Sequence, residues 1–305
     1  MFNKEGVANM KTTYKSAKGI GVWVIAGITV IYNIFMIVFI KFINSYEIFN
    51  LLKLVFIVVN AYQIYYIIVC GTLKYSMDEE DLYITSMFKF KNEKIPFKDI
   101  TMYQTSNRYI KGIKLSGYGK SKFAIGRSFI HKIGRTYMFV TSTKNVIYLK
   151  TDDITYGISP ENFREFESKI QERHIENFKW ENKLDKGIEL RREPKFLIPF
   201  IIASFTVLIL TLNPIIMYLY GNLPDRMPLS FNSNFIAVEF GTGKQFAFKQ
   251  MTYGLLNMGL LFCMYYAAYI FSKYDKNVFY KFIYTALAVA VFFLIMQIKI
   301  PCIFK

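Results

Sequence analysis

Histidine is nearly absent from this chain, with only His131 and His174 in 305 residues, so imidazole-based catalysis and histidine metal ligation have little to work with. Cysteine is scarce too. Cys70, Cys263 and Cys302 lie far apart, two of them inside apolar stretches, which excludes a disulfide framework and a zinc site with paired ligand spacing. Acidic residues are outnumbered, 22 against 38 Lys and Arg, giving a formal charge of +16, and none occurs between Asp99 and Asp152. Such a surplus suits nucleic acid or an anionic membrane surface. Charged residues of any sign make up only 20% of the chain, while 53% is hydrophobic and 18% aromatic, far more apolar than a soluble domain needs. The membrane is therefore the favoured partner of that charge.

Long uncharged runs define the architecture. Residues 19–40, between Lys18 and Lys41, and residues 54–73, between Lys53 and Lys74, are each long enough as helices to cross a hydrocarbon core of about 30 Å. The first is too long for the apolar core of a secretory signal, and no small-residue cleavage pattern follows it. Together they read as a membrane hairpin that follows a basic N-terminal tail, making residues 1–73 one region. Three more spans are expected at 196–220, 250–272 and 277–298, the last interrupted by Lys281 near one end, where its stem can snorkel. Pro199 and Pro214 lie away from the centre of the third span and are expected to bend it. No Asp, Glu or Arg falls inside any of these runs, which argues against an ion-coupled transporter. Asn33, Asn60, Gln63 and Asn257 read as amides bonding a neighbouring helix.

Residues 74–174 differ in character. Alternation at 82–85 (Leu-Tyr-Ile-Thr) and 145–149 (Asn-Val-Ile-Tyr-Leu) predicts a strand-rich soluble domain, with 137–141 and 146–149 forming a hairpin around the polar stretch 142–145. Ser159, Pro160 and Glu161 form a helix-start signature, and Phe163, Phe166 and Ile170 then share one face of a closing helix. A charged connector, 175–195, leads to the C-terminal membrane domain, 196–305, whose loop 221–249 separates the third and fourth spans. Counting Lys and Arg beside the spans puts the N-terminal tail, the central domain and the loop holding Lys273 and Lys276 in the cytoplasm, with loop 221–249 and the C-terminus outside.

Two groups of residues are candidates for contact. The acid-free stretch carries Arg108, Lys111, Lys114, Lys120, Lys122, Arg127, Lys132 and Arg135, followed by Lys144 and Lys150. In a domain tethered beside a bilayer these suit the anionic inner leaflet or an acidic protein partner, each near-surface cation being worth on the order of 1 kcal/mol. The outside loop carries Leu223, Pro224, Asp225, Arg226, Pro228, Phe231 and Asn232, where two prolines stiffen an extended stretch directly after a span. Mixed aromatic and basic residues at 107–109 and 116–120 superficially suit single-stranded nucleic acid, but Tyr and Phe abound throughout, and nucleic acid is not expected as a partner. The run Gly-Tyr-Gly-Lys-Ser at 117–121 lacks the spacing of a phosphate loop. No catalytic, cofactor or metal-ligand constellation converges, so the expectation is a protein that is not an enzyme and needs no cofactor.

The runs Leu-Tyr-Ile at 82–84, Ile-Pro-Phe-Lys-Asp-Ile at 95–100, Gly-Tyr-Gly at 117–119 before Ile-Gly-Arg at 125–127, Tyr-Met-Phe-Val-Thr at 137–141 and Tyr-Gly-Ile-Ser-Pro at 156–160 make residues 77–172 resemble the bacterial pleckstrin-homology-like domains of Gram-positive membrane proteins. That resemblance implies a strongly bent β-barrel-like sandwich capped by one C-terminal helix, and a binding or assembly module for which phosphoinositide binding is not to be assumed. The third span and the run Leu-Pro-Asp-Arg-Met-Pro-Leu-Ser-Phe-Asn at 223–232 look like the membrane domain with an LPxxxPxHFN-type signature in Sdp-type toxin-immunity proteins, with Ser230 where that pattern has histidine. The chain is accordingly expected to be an α+β membrane protein with five transmembrane helices and an inserted cytoplasmic domain. Its expected role is binding and signalling, or else resistance to a membrane-active peptide toxin through the outside loop.

Overall fold

The computed structural model describes residues 11–119, 121–181, 190–274 and 279–303. It divides into two compact units, Met1–Tyr32 with Val58–Leu184, and Asn33–Ile57 with Asp185–Lys305.

The described chain starts with a strand the sequence did not announce, β1 (Thr12–Lys15), before the two apolar helices α1 (Gly21–Lys41) and α2 (Tyr46–Thr72), of which residues 21–32 and 58–72 belong to the first unit. Both helices are rich in Ile and Val, which disfavour helix in water. In an apolar surrounding a helix is the one local form that satisfies every backbone group within itself. Gly21 lets the helices approach, since a Cβ there would stand 2.8 Å from Cys70 Sγ and 2.9 Å from the Phe123 ring.

From α2 the chain enters β2 (Lys74–Met77), β3 (Asp81–Thr85) and β4 (Asn92–Pro96), which with β1 make an antiparallel sheet in the order β1-β2-β3-β4. Strand alternation sends Tyr14, Tyr75, Met77, Leu82, Ile84 and Ile95 inward, all buried. The second sheet contains β5 (Met102–Ser106), β6 (Gly112–Lys114), β7 (Tyr118–Gly119), β8 (Ala124–Ile130), β9 (Gly134–Val140), β10 (Val146–Lys150) and β11 (Thr155–Ile158). Its order is β5-β10-β11-β9-β8-β6, with β7 also on β8. Tyr103, Phe139, Ile147, Leu149 and Ile158 face the first sheet, and Phe166 and Ile170 of helix α3 (Phe163–Gln171) complete this core. Each large apolar side chain buried there contributes about 1.5–3 kcal/mol. The Tyr75 hydroxyl ties the layers, donating to the Phe139 carbonyl (2.6 Å) and accepting from the Ser159 amide (3.2 Å). The opposite face of the second sheet is covered as well, by Trp180 over Ile130, Met138, Val146 and Tyr148.

Three expectations change. Among the described residues no ladder joins the two sheets, so the domain is an open two-layer sandwich capped by α3, and the barrel does not close. Strands β9 and β10 do not form a hairpin, because β11 lies between them, parallel to β9 and antiparallel to β10. The five residues 141–145 span the resulting gap of about 10 Å, two strand spacings. Ser159 is not a helix cap. Its hydroxyl accepts from the Thr141 amide (2.9 Å), Pro160 bridges to Ser16, and α3 begins only at Phe163. The reason is the N-terminal tail: Ala17 donates to the Ser159 carbonyl (2.8 Å) and accepts from the Thr141 hydroxyl (2.6 Å), so this corner serves β1 instead of α3.

The second unit packs α4 (Pro194–Leu219), α5 (Gly243–Ser272) and α6 (Tyr280–Ile303) against one another, with a hairpin of β12 (Met227–Phe231) and β13 (Ala237–Gly241) between α4 and α5. Small residues line the contacts: Ala203, Ala268, Ala286 and Ala290 are buried, and a Cβ on Gly254 would stand 2.4 Å from Thr211 Oγ1. Helix α5 starts seven residues before position 250, where the apolar run begins, because Thr242 and Gln245 form a reciprocal capping box. Pro214 deprives the Leu210 carbonyl of its helical donor, and Gln297 of α6 replaces it with an amide at 2.8 Å. Five helices, of 21, 27, 26, 30 and 24 residues, are long and apolar enough to cross a bilayer. Asn277 and Val278, at the expected start of the fifth span, lie outside the described residues.

Candidate functional site

Pairing disperses the basic stretch. Arg127 stands opposite Tyr137, and Arg135 opposite Phe129, which itself faces Ile113, so Arg127 and Arg135 emerge on one face of the second sheet. Lys114, opposite Ser128, emerges on the other face. Arg127 lies 5.6 Å from the Tyr137 ring centre and Lys114 5.7 Å from that of Tyr118. Arg108, Lys111 and Lys122 are exposed, and Lys120 lies outside the described residues. Lys132, at the left-handed turn between β8 and β9, pairs with Glu181 at 2.7 Å. Both partners are well exposed, so the pair contributes little to stability. Lys144 is exposed, and Lys150 reaches to 5.6 Å from the Trp180 ring.

What the sequence reading missed is an aromatic seam. Tyr62, Tyr65 and Tyr66 lie on one face of α2; Tyr62 and Tyr66 meet Tyr118 of β7, with ring centres 5.6 and 5.5 Å away, and Tyr65 packs edge-on against Tyr66 at 4.9 Å. The Tyr62 hydroxyl accepts from the Gly117 amide (2.8 Å), and Tyr65 donates to the Phe90 carbonyl (3.2 Å). Beside the seam, Phe123 and Ile125 share a core with Ile25, Val69 and Cys70. The strands of the domain are thus packed on the apolar helices themselves. The i, i+3, i+4 spacing of tyrosines on an otherwise aliphatic helix was the available signal.

Nearby, Lys91 bonds Glu93 and the Tyr137 hydroxyl (2.6 Å), with its ammonium 4.3 Å from the Tyr137 ring centre. Burial opposes its charge, but the bonds to Glu93 and Tyr137 outweigh that and hold its pKa above the ordinary lysine value.

The residues singled out in the loop after α4 mostly hold the hairpin together. Phe231 is buried with Met227, Phe246 and Ile300 and stacks on Phe235 at 4.6 Å; Pro228 is buried, and Leu223 packs on the same cluster. Asn232 Oδ1 accepts from the Asn234 and Ile236 amides (3.0 and 2.9 Å), closing the turn. Pro224 is half-buried. Asp225 and Arg226 are exposed, the latter with its guanidinium 4.6 Å from the Phe240 ring centre. The apolar surface the loop offers lies instead on β13 and the residue before it, where Ile236, Val238 and Phe240 are exposed. Among the described residues no group of His, Cys, Asp and Glu could hold a metal ion.

A sandwich of this kind, joined to apolar helices and capped by α3, is that of a bacterial PH domain, and residues 73–174 match the model of the bacterial PH domain family. The chain belongs to the family of an uncharacterised protein of Clostridium acetobutylicum, to which it is 40% identical over 286 residues, spanning 94% of this chain and 97% of that one. No solved structure matches it.

Proposed function

We propose that this is a non-enzymatic integral membrane protein of five spans, whose PH domain is held against the cytoplasmic leaflet and binds its anionic surface or a protein partner presented there. The single observation that carries the reading is the shared core of Phe123 and Ile125 with Ile25, Val69 and Cys70. It fixes the β7–β8 segment, with exposed Lys122 beside it, at the end of two helices apolar enough to span. Cations held there lie within a Debye length of about 8 Å of lipid phosphates, where they attract anionic lipid without any moving part. The excess of Lys and Arg on the N-terminal tail and the domain supports a cytoplasmic placement.

The test uses the full chain reconstituted in neutral or anionic vesicles, with amine acylation at Lys114 and Lys122 followed by mass spectrometry. Slower modification in anionic vesicles, relieved by salt, is the expected result. Equal rates in both lipids would leave a protein partner as the binding target.

A second reading, resistance to a membrane-active peptide, is favoured by the exposed Ile236, Val238 and Phe240 on a two-stranded hairpin, an apolar edge able to receive an extended peptide. Cells lacking the gene should then be more sensitive to such peptides, and a Val238→Lys variant should fail to restore resistance.

A further inference from the structure

Lysines outside the acid-free stretch form a second basic group. Register places Lys15 directly opposite Lys74 across β1 and β2, with Thr85 next in line on β3. Like charges in direct cross-strand register repel, and among the described residues neither lysine has an ion-pair partner to offset it. Both line a cleft of about 560 Å³ together with Lys18, Thr72, Ser86 and Met87, and among the described residues Glu161 is the only acid on its wall.

The place of this cleft is as informative as its charge. It opens where α2 ends and β2 begins. Next to it the turn between β3 and β4 projects Met87, Phe88 and Phe90, which are 50%, 71% and 47% exposed. Two bonds set the depth of that turn against α2: the Met87 amide to Thr72 Oγ1 (3.0 Å) and the Tyr65 hydroxyl to the Phe90 carbonyl (3.2 Å). Tyr65 and Thr72 are seven residues apart, about 10 Å along the helix. The apolar turn therefore lies alongside the last two turns of a helix apolar enough to span. Phe88 and Lys89 both adopt a left-handed backbone (φ 54°), a costly conformation for such residues.

We propose that the cleft of Lys15, Lys18 and Lys74 binds the headgroup phosphate of an anionic phospholipid, while Met87, Phe88 and Phe90 enter the acyl layer beside it. This rests on the reading that α2 spans the bilayer. A soluble anion would satisfy the lysines but would leave three large apolar side chains in water. A phospholipid satisfies both, because its charge and its chains are offset along the membrane normal as the cleft and the turn are offset along α2.

The experiment uses the full chain in neutral detergent, with native mass spectrometry reading retention of phosphatidylglycerol against phosphatidylcholine. A Lys15→Gln/Lys74→Gln variant should bind phosphatidylglycerol about 25-fold more weakly, roughly fivefold for each lysine. Its melting temperature should not fall, since the change relieves a repulsion. Lys98→Gln/Lys179→Gln, at exposed lysines outside both basic groups, should bind as the parent does. Separately, Phe88→Trp in vesicles should add fluorescence quenched by acyl-chain-brominated lipid, over the background of Trp23 and Trp180. Equal lipid retention by parent and Lys15/Lys74 variant overturns the site, and displacement of the lipid by millimolar inorganic phosphate alone makes it a free-anion site. If the fluorescence added by Phe88→Trp is not quenched, the role of the turn is overturned. Release of the chain from vesicles by alkaline carbonate would instead refute the spanning reading, independently of the cleft.

Discussion

Gln297 offers the sharpest test of how the C-terminal helices hold together. Pro214 has no amide hydrogen, so the Leu210 carbonyl four residues earlier lacks its helical donor, and the Gln297 side chain of α6, 2% exposed, supplies one at 2.8 Å. Hydrogen bonds between membrane helices average about 0.6 kcal/mol and reach about 1.7, whereas a buried carbonyl left without any donor costs about 1–3 kcal/mol. Gln297→Leu keeps the apolar bulk and removes the donor, so its expected cost is about 1.5–2 kcal/mol. Pro214→Ala restores the amide hydrogen at the required place, and in that background Gln297→Leu should cost less than about 0.5 kcal/mol, the difference being the coupling energy. Hydrogen exchange of α4 and α6 peptides in the detergent-solubilised full chain, together with denaturant unfolding followed by circular dichroism, reads both legs of the cycle. If Gln297→Leu costs the same with proline and with alanine at 214, the carbonyl is not what Gln297 serves.

Three further outcomes follow from the first unit. Tyr75→Phe strips a buried carbonyl and a buried amide of their shared partner and should destabilise the unit by about 2 kcal/mol, measurable by hydrogen exchange at β9 and β11. Gly19→Ala should be worse tolerated than Gly27→Ala, because a Cβ at 19 would stand 1.7 Å from the Thr141 carbonyl oxygen while one at 27 meets nothing; equal melting temperatures would contradict this. Asp78 Oδ1 accepts from the Glu80 and Asp81 amides (3.0 and 2.7 Å), and despite an opposing desolvation these bonds hold its pKa below the ordinary carboxylate value. A carboxylate depressed on folding contributes stability that is fully present above its unfolded pKa and is lost as pH falls through the folded one. The advantage of the parent over Asp78→Asn at neutral pH should accordingly shrink as the pH falls below the ordinary carboxylate value of about 3.9, and a pH-independent difference would count against it.

Legibility in the sequence followed the range of the interaction. Apolar helices depend on local composition, so the uncharged runs located all five, but their ends were less legible: α2 begins at Tyr46, eight residues before the expected run, α5 begins seven before it behind the Thr242 cap, and α6 continues to Ile303, five residues past the expected end. The face of α3 was equally local: Phe166 and Ile170 are buried as their spacing implies. Strand β1 was not legible, because Thr12–Lys15 shows one buried residue, Tyr14, and its partner strand begins some sixty positions later. The place of β11 between β9 and β10 was hidden for the same reason, since alternation tells which residues face inward but not which strand lies alongside. The basic residues were read as one group because they are adjacent in sequence, and strand alternation then sent Lys114 and Arg127 to opposite faces. Lys15 and Lys74, which are adjacent in space, went unnoticed because α1 and α2 separate them in the chain.

The ladder between β1 and β2 makes the two apolar helices a closed loop, since the strand before α1 is zipped to the strand after α2 over four residue pairs. During synthesis the first half of that zipper emerges well before the second, and the two can meet only if the helices have run in opposite directions and returned the chain to the side it left. If α1 and α2 cross a bilayer as proposed, a helix inserted the wrong way round would leave β1 and β2 on opposite sides and the sheet could not finish, so that completion of the domain would act as a checkpoint on insertion. It also means that a fragment starting at Lys74 carries β2 as a raw edge prone to pairing with other copies, whereas one that retains Thr12–Lys15, joined to Lys74 by a short linker in place of the helices, keeps that edge covered.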